Sequence, residues 1–219
     1  MEIKVLENIL AANENLAEEN ARLFKEKGIF TINLMASPGA GKTSFILETA
    51  RRLGDRYKMA VIEGDIASKV DTEKVRAHGI QSVQINTGGA CHLEANMIKK
   101  ALEHLDLTGV DLLVIENVGN LVCPADFALG EAARVVILSI PEGDDKPLKY
   151  PTIFSDCPVL VLNKVDALDL FDFDIGRVEE TVKKLNPNVD IIPLSCRTGA
   201  GFNIWMSWLE EQLKNRGQE

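Results

Sequence analysis

The chain has 219 residues, a length that suits one large α/β or all-β domain better than two. Hydrophobic residues make up 46% and charged residues 26%, the balance of a globular protein, so disordered, collagen-like and low-complexity classes are excluded. The net charge of -9 repels phosphate backbones and argues against nucleic acid as a partner.

The start, Met1-Glu2-Ile3-Lys4, lacks the basic and apolar pattern of a signal peptide. No stretch reaches the roughly 18 apolar residues of a membrane span, so a cytoplasmic protein without membrane contact is expected. Ile3, Leu6, Ile9, Leu10, Leu16 and Leu23 recur at roughly helical spacing and predict a long first helix, stopped by Gly28. Its apolar stripe either lies on the sheet or recruits a partner. Strands are then predicted at 29–35, 59–63, 80–86, 112–116, 135–140, 159–163 and 191–194, with helices at 43–53, 72–77, 93–105, 175–185 and 203–213. Runs such as Val159-Leu160-Val161-Leu162 are apolar on both faces, as strands covered by helices on both sides must be. The repeated βα pattern predicts a doubly wound, mostly parallel sheet of the P-loop NTPase kind. Residues 1–28 are read as a helical extension and 29–219 as a single domain. On the last helix Trp205, Trp208, Ile204, Leu209 and Leu213 form an apolar stripe expected to pack in the core.

Met35-Ala36-Ser37-Pro38-Gly39-Ala40-Gly41-Lys42-Thr43-Ser44 follows a strand and opens a helix. Gly39 and Gly41 let the loop from Pro38 to Ser44 curl its backbone N–H groups inward around phosphate, with Lys42 reaching the β and γ phosphates and the Thr43 hydroxyl sitting on Mg²⁺. Ala36 stands where the pattern GxxxxGK(S/T) has its first glycine. Asn163-Lys164-Val165-Asp166, at the end of a later strand, is similar to the NKxD element of GTPases. There the aspartate accepts from the guanine N1 and 2-amino groups, so GTP and GDP are favoured over ATP. Ser195-Cys196-Arg197-Thr198-Gly199 is similar to the loop that packs against the base, or is a plain turn.

Asp65, in Glu63-Gly64-Asp65-Ile66, is the candidate Mg²⁺-side acid, and Glu116 stands in the Walker B position, both at strand ends. Gly119 lets the following segment swing toward a γ-phosphate. The mechanism implied is Mg²⁺-assisted attack of water on that phosphate. No glutamine suited to positioning the water is evident.

Cys91, His92 and Cys123 offer two thiolates and an imidazole, a set that suits Ni²⁺ or Zn²⁺. Adjacent side chains at a helix start diverge, and three donors leave one position that a symmetric dimer could close. The alternative is two buried cysteines and a solvated histidine. His78 and His104 are expected on the surface and Cys157 in the core.

These elements, with Thr87-Gly88-Gly89-Ala90-Cys91-His92-Leu93-Glu94-Ala95, the run Glu116 to Ala125 and Pro141 to Pro151, resemble the hydrogenase nickel-incorporation GTPases, the HypB family. The resemblance spans nearly the whole chain. It implies a GTP-dependent homodimer of the SIMIBI class that delivers nickel to the large subunit of a NiFe hydrogenase, with a small zinc-containing nickel chaperone as partner. It also implies that Cys91, His92 and Cys123 form an interface metal site, with Lys146 or Lys149 approaching the partner subunit. No cysteine precedes Cys91 and no histidine precedes His78, so N-terminal nickel storage is not expected. Competing readings are a urease-type nickel accessory GTPase, a P-loop small-molecule kinase and a metal-storage module.

Overall fold

Every predicted apolar run becomes a strand of one sheet. The computed structural model describes residues 5–65 and 70–216, and the side chains of these except 5–9 and 70–72. Ile3 of the predicted stripe and Ile66 of the acidic motif lie outside the described residues. The strands are β1 (Phe30–Ala36), β2 (Met59–Asp65), β3 (Gln81–Asn86), β4 (Leu112–Glu116), β5 (Ala133–Ser139), β6 (Val159–Asn163) and β7 (Asp190–Pro193). They align in the order β3-β2-β4-β1-β5-β6-β7, and every pairing among them is parallel. All their C-terminal ends therefore meet at one edge, where the order reverses around β1. In such sheets ligands bind at that crevice.

Side chains alternate between faces along each strand. Leu112 and Val114 turn toward α2 (Lys42–Leu53) and α8 (Phe202–Asn215), packing with Phe45, Trp205 and Leu209. Leu113 and Ile115 turn the other way, onto α1 (Val5–Glu26) and α4 (Ala95–Leu102). Beyond β1 the same face is covered by α6 (Pro151–Ser155) and α7 (Ile175–Leu185), which bury Leu160 and Leu162. The remaining helices are α3 (Val70–Ala77) and the one-turn α5 (Lys146–Lys149). The turns α5 and α6 have no counterpart among the predicted elements.

Two amphipathic readings shift. On α8, Trp205 is buried, its indole N–H donating to Thr49 Oγ1 at 3.0 Å, but Ile204 is 52% exposed and leaves the core stripe. On α1 the docking face is Asn13, Ala17, Asn20 and Phe24, all buried, while Leu10, Leu16 and Leu23 are only half-buried beside it. Asparagines can sit there because they satisfy backbone that would otherwise be stranded. Asn13 donates to Ala128 O and accepts from Ala95 N, both at 2.8 Å; Asn20 donates to Ala95 O at 3.0 Å and Leu129 O at 3.1 Å. The helix thus reads backbone rather than merely covering grease.

That close approach requires Gly130, whose φ is +96° and whose absent Cβ would fall 2.6 Å from Ala17 O. Gly130→Ala should destabilise the protein in urea titration by more than the roughly 1–2 kcal/mol of a left-handed non-glycine residue. Gly28→Ala, at φ +64° with open space around it, supplies the reference for that strain alone. Equal losses would show that α1 is not seated against Gly130.

Candidate functional site

The phosphate loop leaves β1 and enters α2 at Gly41, which has φ 104°. No side chain fits at that position, since a Cβ would lie 2.5 Å from Asn163 Nδ2. Pro38, Gly39, Gly41, Lys42, Thr43 and Ser44 line a cleft with Glu63, Gly64, Asp65, Lys74 and residues 116–119. Ala40 is fully buried beneath the loop. Lys42 Nζ donates to Ser37 O at 3.5 Å, a long bond that leaves the ammonium at the loop's mouth. Thr43 Oγ1 donates to Glu116 Oε1 at 3.3 Å. A hydroxyl and a carboxylate facing each other beside a phosphate loop are hard oxygen donors, the kind a magnesium ion takes. Asp65 lines the same cleft from the end of β2. Glu63, 4% exposed, joins Glu116 in register on the neighbouring strand, so the cleft holds an acid for which no motif spacing calls.

The base-side loops lock onto the phosphate loop. Asn163 Nδ2 donates to Ala40 O at 2.9 Å, and its Oδ1 accepts from Lys164 N at 2.8 Å and from Cys196 N at 3.3 Å. Lys164 has φ 64°, the one non-glycine residue with positive φ among the described residues, and its Nζ donates to Gly39 O at 2.7 Å. A strained residue persists only where its surroundings hold it; here both ends of Lys164 are held. Asp166 Oδ1 accepts from Ser195 Oγ at 2.5 Å and Oδ2 from Arg197 Nε at 2.7 Å. The Ser195 bond first, and Arg197 after it, hold this carboxyl below the ordinary aspartate range, which keeps it in the acceptor-only form. Cys196 contributes its amide; burial pushes its thiol up to about 12, so it is inert at neutral pH.

The soft ligands converge. Cys91 and His92 lie in the loop before α4, not on the helix, so helical divergence does not apply. One ligand atom from each of Cys91, His92 and Cys123 falls within 4.8 Å of the others. Cys91 Sγ stands 2.9 Å from Cys123 Sγ and 3.6 Å from His92 Nδ1. The His92 ring stacks on Phe127 at 3.9 Å, and its buried Nε2 has no hydrogen-bond partner, so the histidine is held rather than solvated. The Cys123 contact, then burial, raises the Cys91 thiol above its usual range. Asn117, fully buried behind this loop, lies in the Glu116 to Ala125 run but is given no role by the sequence reading. His78 and His104 are exposed and Cys157 is buried.

Residues 30–193 match the family model of the CobW/HypB/UreG nucleotide-binding domain. A curated relative, hydrogenase maturation factor HypB of Azotobacter vinelandii, is 46% identical over 98% of this chain and 71% of its own length. The crystal structure of Helicobacter pylori HypB in complex with nickel superposes with a TM-score of 0.89 at 38% identity, covering 93% of this chain and 96% of that one. The signal recognition particle receptor FtsY of Elizabethkingia anophelis in complex with GDP, 15% identical with a TM-score of 0.53, covering 84% of this chain and 66% of that one, shares the fold alone. No described helix is long and apolar enough to cross a membrane.

On the expectation that the Asp166 carboxylate accepts from the guanine edge, nucleotide binding should be present at neutral pH and fall as pH drops through its lowered pKa. Ser195→Ala removes the larger of the two lowering contacts, so the acid limb should move to higher pH in a fluorescent-nucleotide titration. An unmoved limb contradicts the assignment.

Proposed function

The chain belongs to the HypB family within the CobW/HypB/UreG nucleotide-binding proteins, and from that premise we propose that it is a GTPase that carries nickel toward NiFe hydrogenase under nucleotide control. The observation that carries this reading is the run from Glu116 to Cys123. One end supplies an acid to the phosphate cleft and the other supplies a thiol to the Cys91, His92 and Cys123 cluster. A hard-oxygen site and a soft-sulfur site joined by so short a chain suit a protein whose metal affinity answers to its nucleotide.

In this reading the N–H groups of Gly39 to Ser44 are the phosphate cradle, Pro38 contributes only its ring, and Lys42 neutralises phosphate charge. Thr43 and Glu116, with Asp65 beside them, would hold Mg²⁺, whose charge would offset that developing on the transferred phosphoryl group. Asp166 reads the guanine edge, while Asn163, Lys164 and the Ser195-Cys196 loop fix its position. Water attacks the γ-phosphate, giving GDP and phosphate; Gly119 packs on Pro38, close enough that a Cβ would lie 2.9 Å from its ring. Loss of the phosphate therefore reaches the 119–123 segment directly.

Nickel is cargo rather than resident cofactor. Cys91, His92 and Cys123 supply three donors of a kind that takes Ni²⁺ or Zn²⁺. A second copy of the chain, joined about a twofold axis, completes the coordination. The small zinc-containing nickel chaperone and the hydrogenase large subunit are the donor and acceptor in this scheme.

The test is a Ni²⁺ and Zn²⁺ titration with GDP and then with a non-hydrolysable GTP analogue, following affinity and mass together. The expected result is a nucleotide-dependent affinity and a dimer, with Cys123→Ala losing at least about tenfold in metal affinity and Lys42→Ala losing the nucleotide dependence. Metal binding indifferent to nucleotide, or preference for ATP over GTP in competition, overturns the reading.

A further inference from the structure

The two sites are joined by more than covalent continuity. After β4 the chain runs back along the exit of β1: Asn117 N donates to Leu34 O at 3.0 Å and Asn120 N donates to Ala36 O at 2.9 Å, at the last residue of β1, where the phosphate-loop pattern begins. From that anchored backbone two asparagine side chains reach toward the metal ligands. Asn120 Nδ2 donates to Cys91 O at 3.2 Å, and Asn120 Oδ1 accepts from Val122 N at 2.9 Å, next to Cys123. Asn117 Oδ1 accepts from Leu93 N at 3.2 Å and from Val118 N at 2.9 Å, and its Nδ2 donates to Asn33 Oδ1 on β1 at 3.1 Å. The loop is also pinned from the other side, where Leu93 fills the space that a Cβ on Gly64 would need, 2.8 Å away, at the end of β2.

One side chain thus holds the carbonyl of one cysteine ligand and the amide beside the other, while its own backbone is tied to the strand that becomes the phosphate loop. By these contacts a movement of Gly119 against Pro38 would carry Asn120, and with it Cys91 and Cys123, relative to His92, which stacks on Phe127. We propose that Asn120, braced by the buried Asn117, is the positioning residue through which the nucleotide cleft sets the geometry of the thiolate and imidazole cluster. It touches neither nucleotide nor metal. The inference rests on the nickel-carrying GTPase reading and deepens it by naming the link.

The alternative role for Asn120 is a local staple that shapes the metal loop identically in every nucleotide state. The two roles differ in one quantity, the ratio of Ni²⁺ affinities in the GTP-analogue and GDP forms. Allosteric couplings of this kind typically amount to about 5–150-fold, which is the range expected of the unaltered protein. Asn120→Ala removes both side-chain bonds of a half-buried residue and leaves the Ala36 backbone bond. The expected outcome is a ratio reduced to below about twofold, with guanine-nucleotide affinity and the thermal unfolding midpoint preserved. If the variant loses nickel affinity equally in both forms and keeps its ratio, Asn120 is a staple and the inference is overturned. If it keeps both affinity and ratio, the link runs elsewhere and the inference is likewise overturned. An unaltered protein with no ratio at all instead overturns the underlying reading, so the two failures are separable.

Discussion

Residues 117–122 are the short chain that joins Glu116 of the phosphate cleft to Cys123 of the metal cluster, and much of the functional architecture follows from that tether. Because β4 lies between β1 and β2, its C-terminal end emerges beside the phosphate loop. The segment leaving it must pass Pro38 before it can reach Cys123. A chain held at Leu34 and Ala36 on one side and at Cys91 and Leu93 on the other has little freedom to move at one end alone. The packed interior of a parallel sheet makes that stiffness possible, since a core of native density transmits displacement rather than absorbing it.

The two sites are kept chemically distinct although they share this segment. The nucleotide cleft offers hydroxyl and carboxylate oxygens, Thr43, Glu116, Glu63 and Asp65, and the cluster offers sulfur and imidazole. Hard and soft cations therefore sort themselves between two places on one protein. Oxygen donors favour magnesium while sulfur and imidazole favour nickel or zinc, so the proposed cargo and the proposed cofactor would not compete for one site. The base-side loops are fixed independently through Asn163 and Lys164, both bonded to the phosphate loop. In the proposed function, recognition of the base and response to the γ-phosphate would thus act on opposite flanks of the same loop.

Much of this was legible in the chain itself, because the informative signals are local. Apolar runs of strand length, such as Val159 to Leu162, announce a doubly covered sheet without any tertiary knowledge. The phosphate loop and Asn163 to Asp166 carry their chemistry in consecutive residues. What was not legible depends on partners distant in sequence. Asn13 and Asn20 look like breaks in the apolar stripe of α1, and they are its docking face because the backbone groups of Ala95, Ala128 and Leu129 hydrogen-bond to them. Asn117 and Asn120 sit in a loop where an asparagine is unremarkable from its neighbours. Cys91 and His92 could converge because α4 starts at Ala95, later than helical periodicity suggests. Ile204 was misread for the complementary reason, since its spacing fits the stripe on α8 while its position at the helix edge faces solvent.

The central claim is an energetic link between nucleotide and metal, and such a link is reciprocal: whatever nucleotide does to nickel affinity, nickel must do to nucleotide affinity. The most direct test is therefore to measure the affinities of GDP and of a non-hydrolysable GTP analogue, at fixed Mg²⁺, with and without one equivalent of Ni²⁺. The account predicts that nickel changes the preference between the two nucleotides, and that the change disappears when Cys91 and Cys123 are both replaced by alanine. A preference untouched by nickel, or one that shifts equally in the cysteine-free variant, would contradict it.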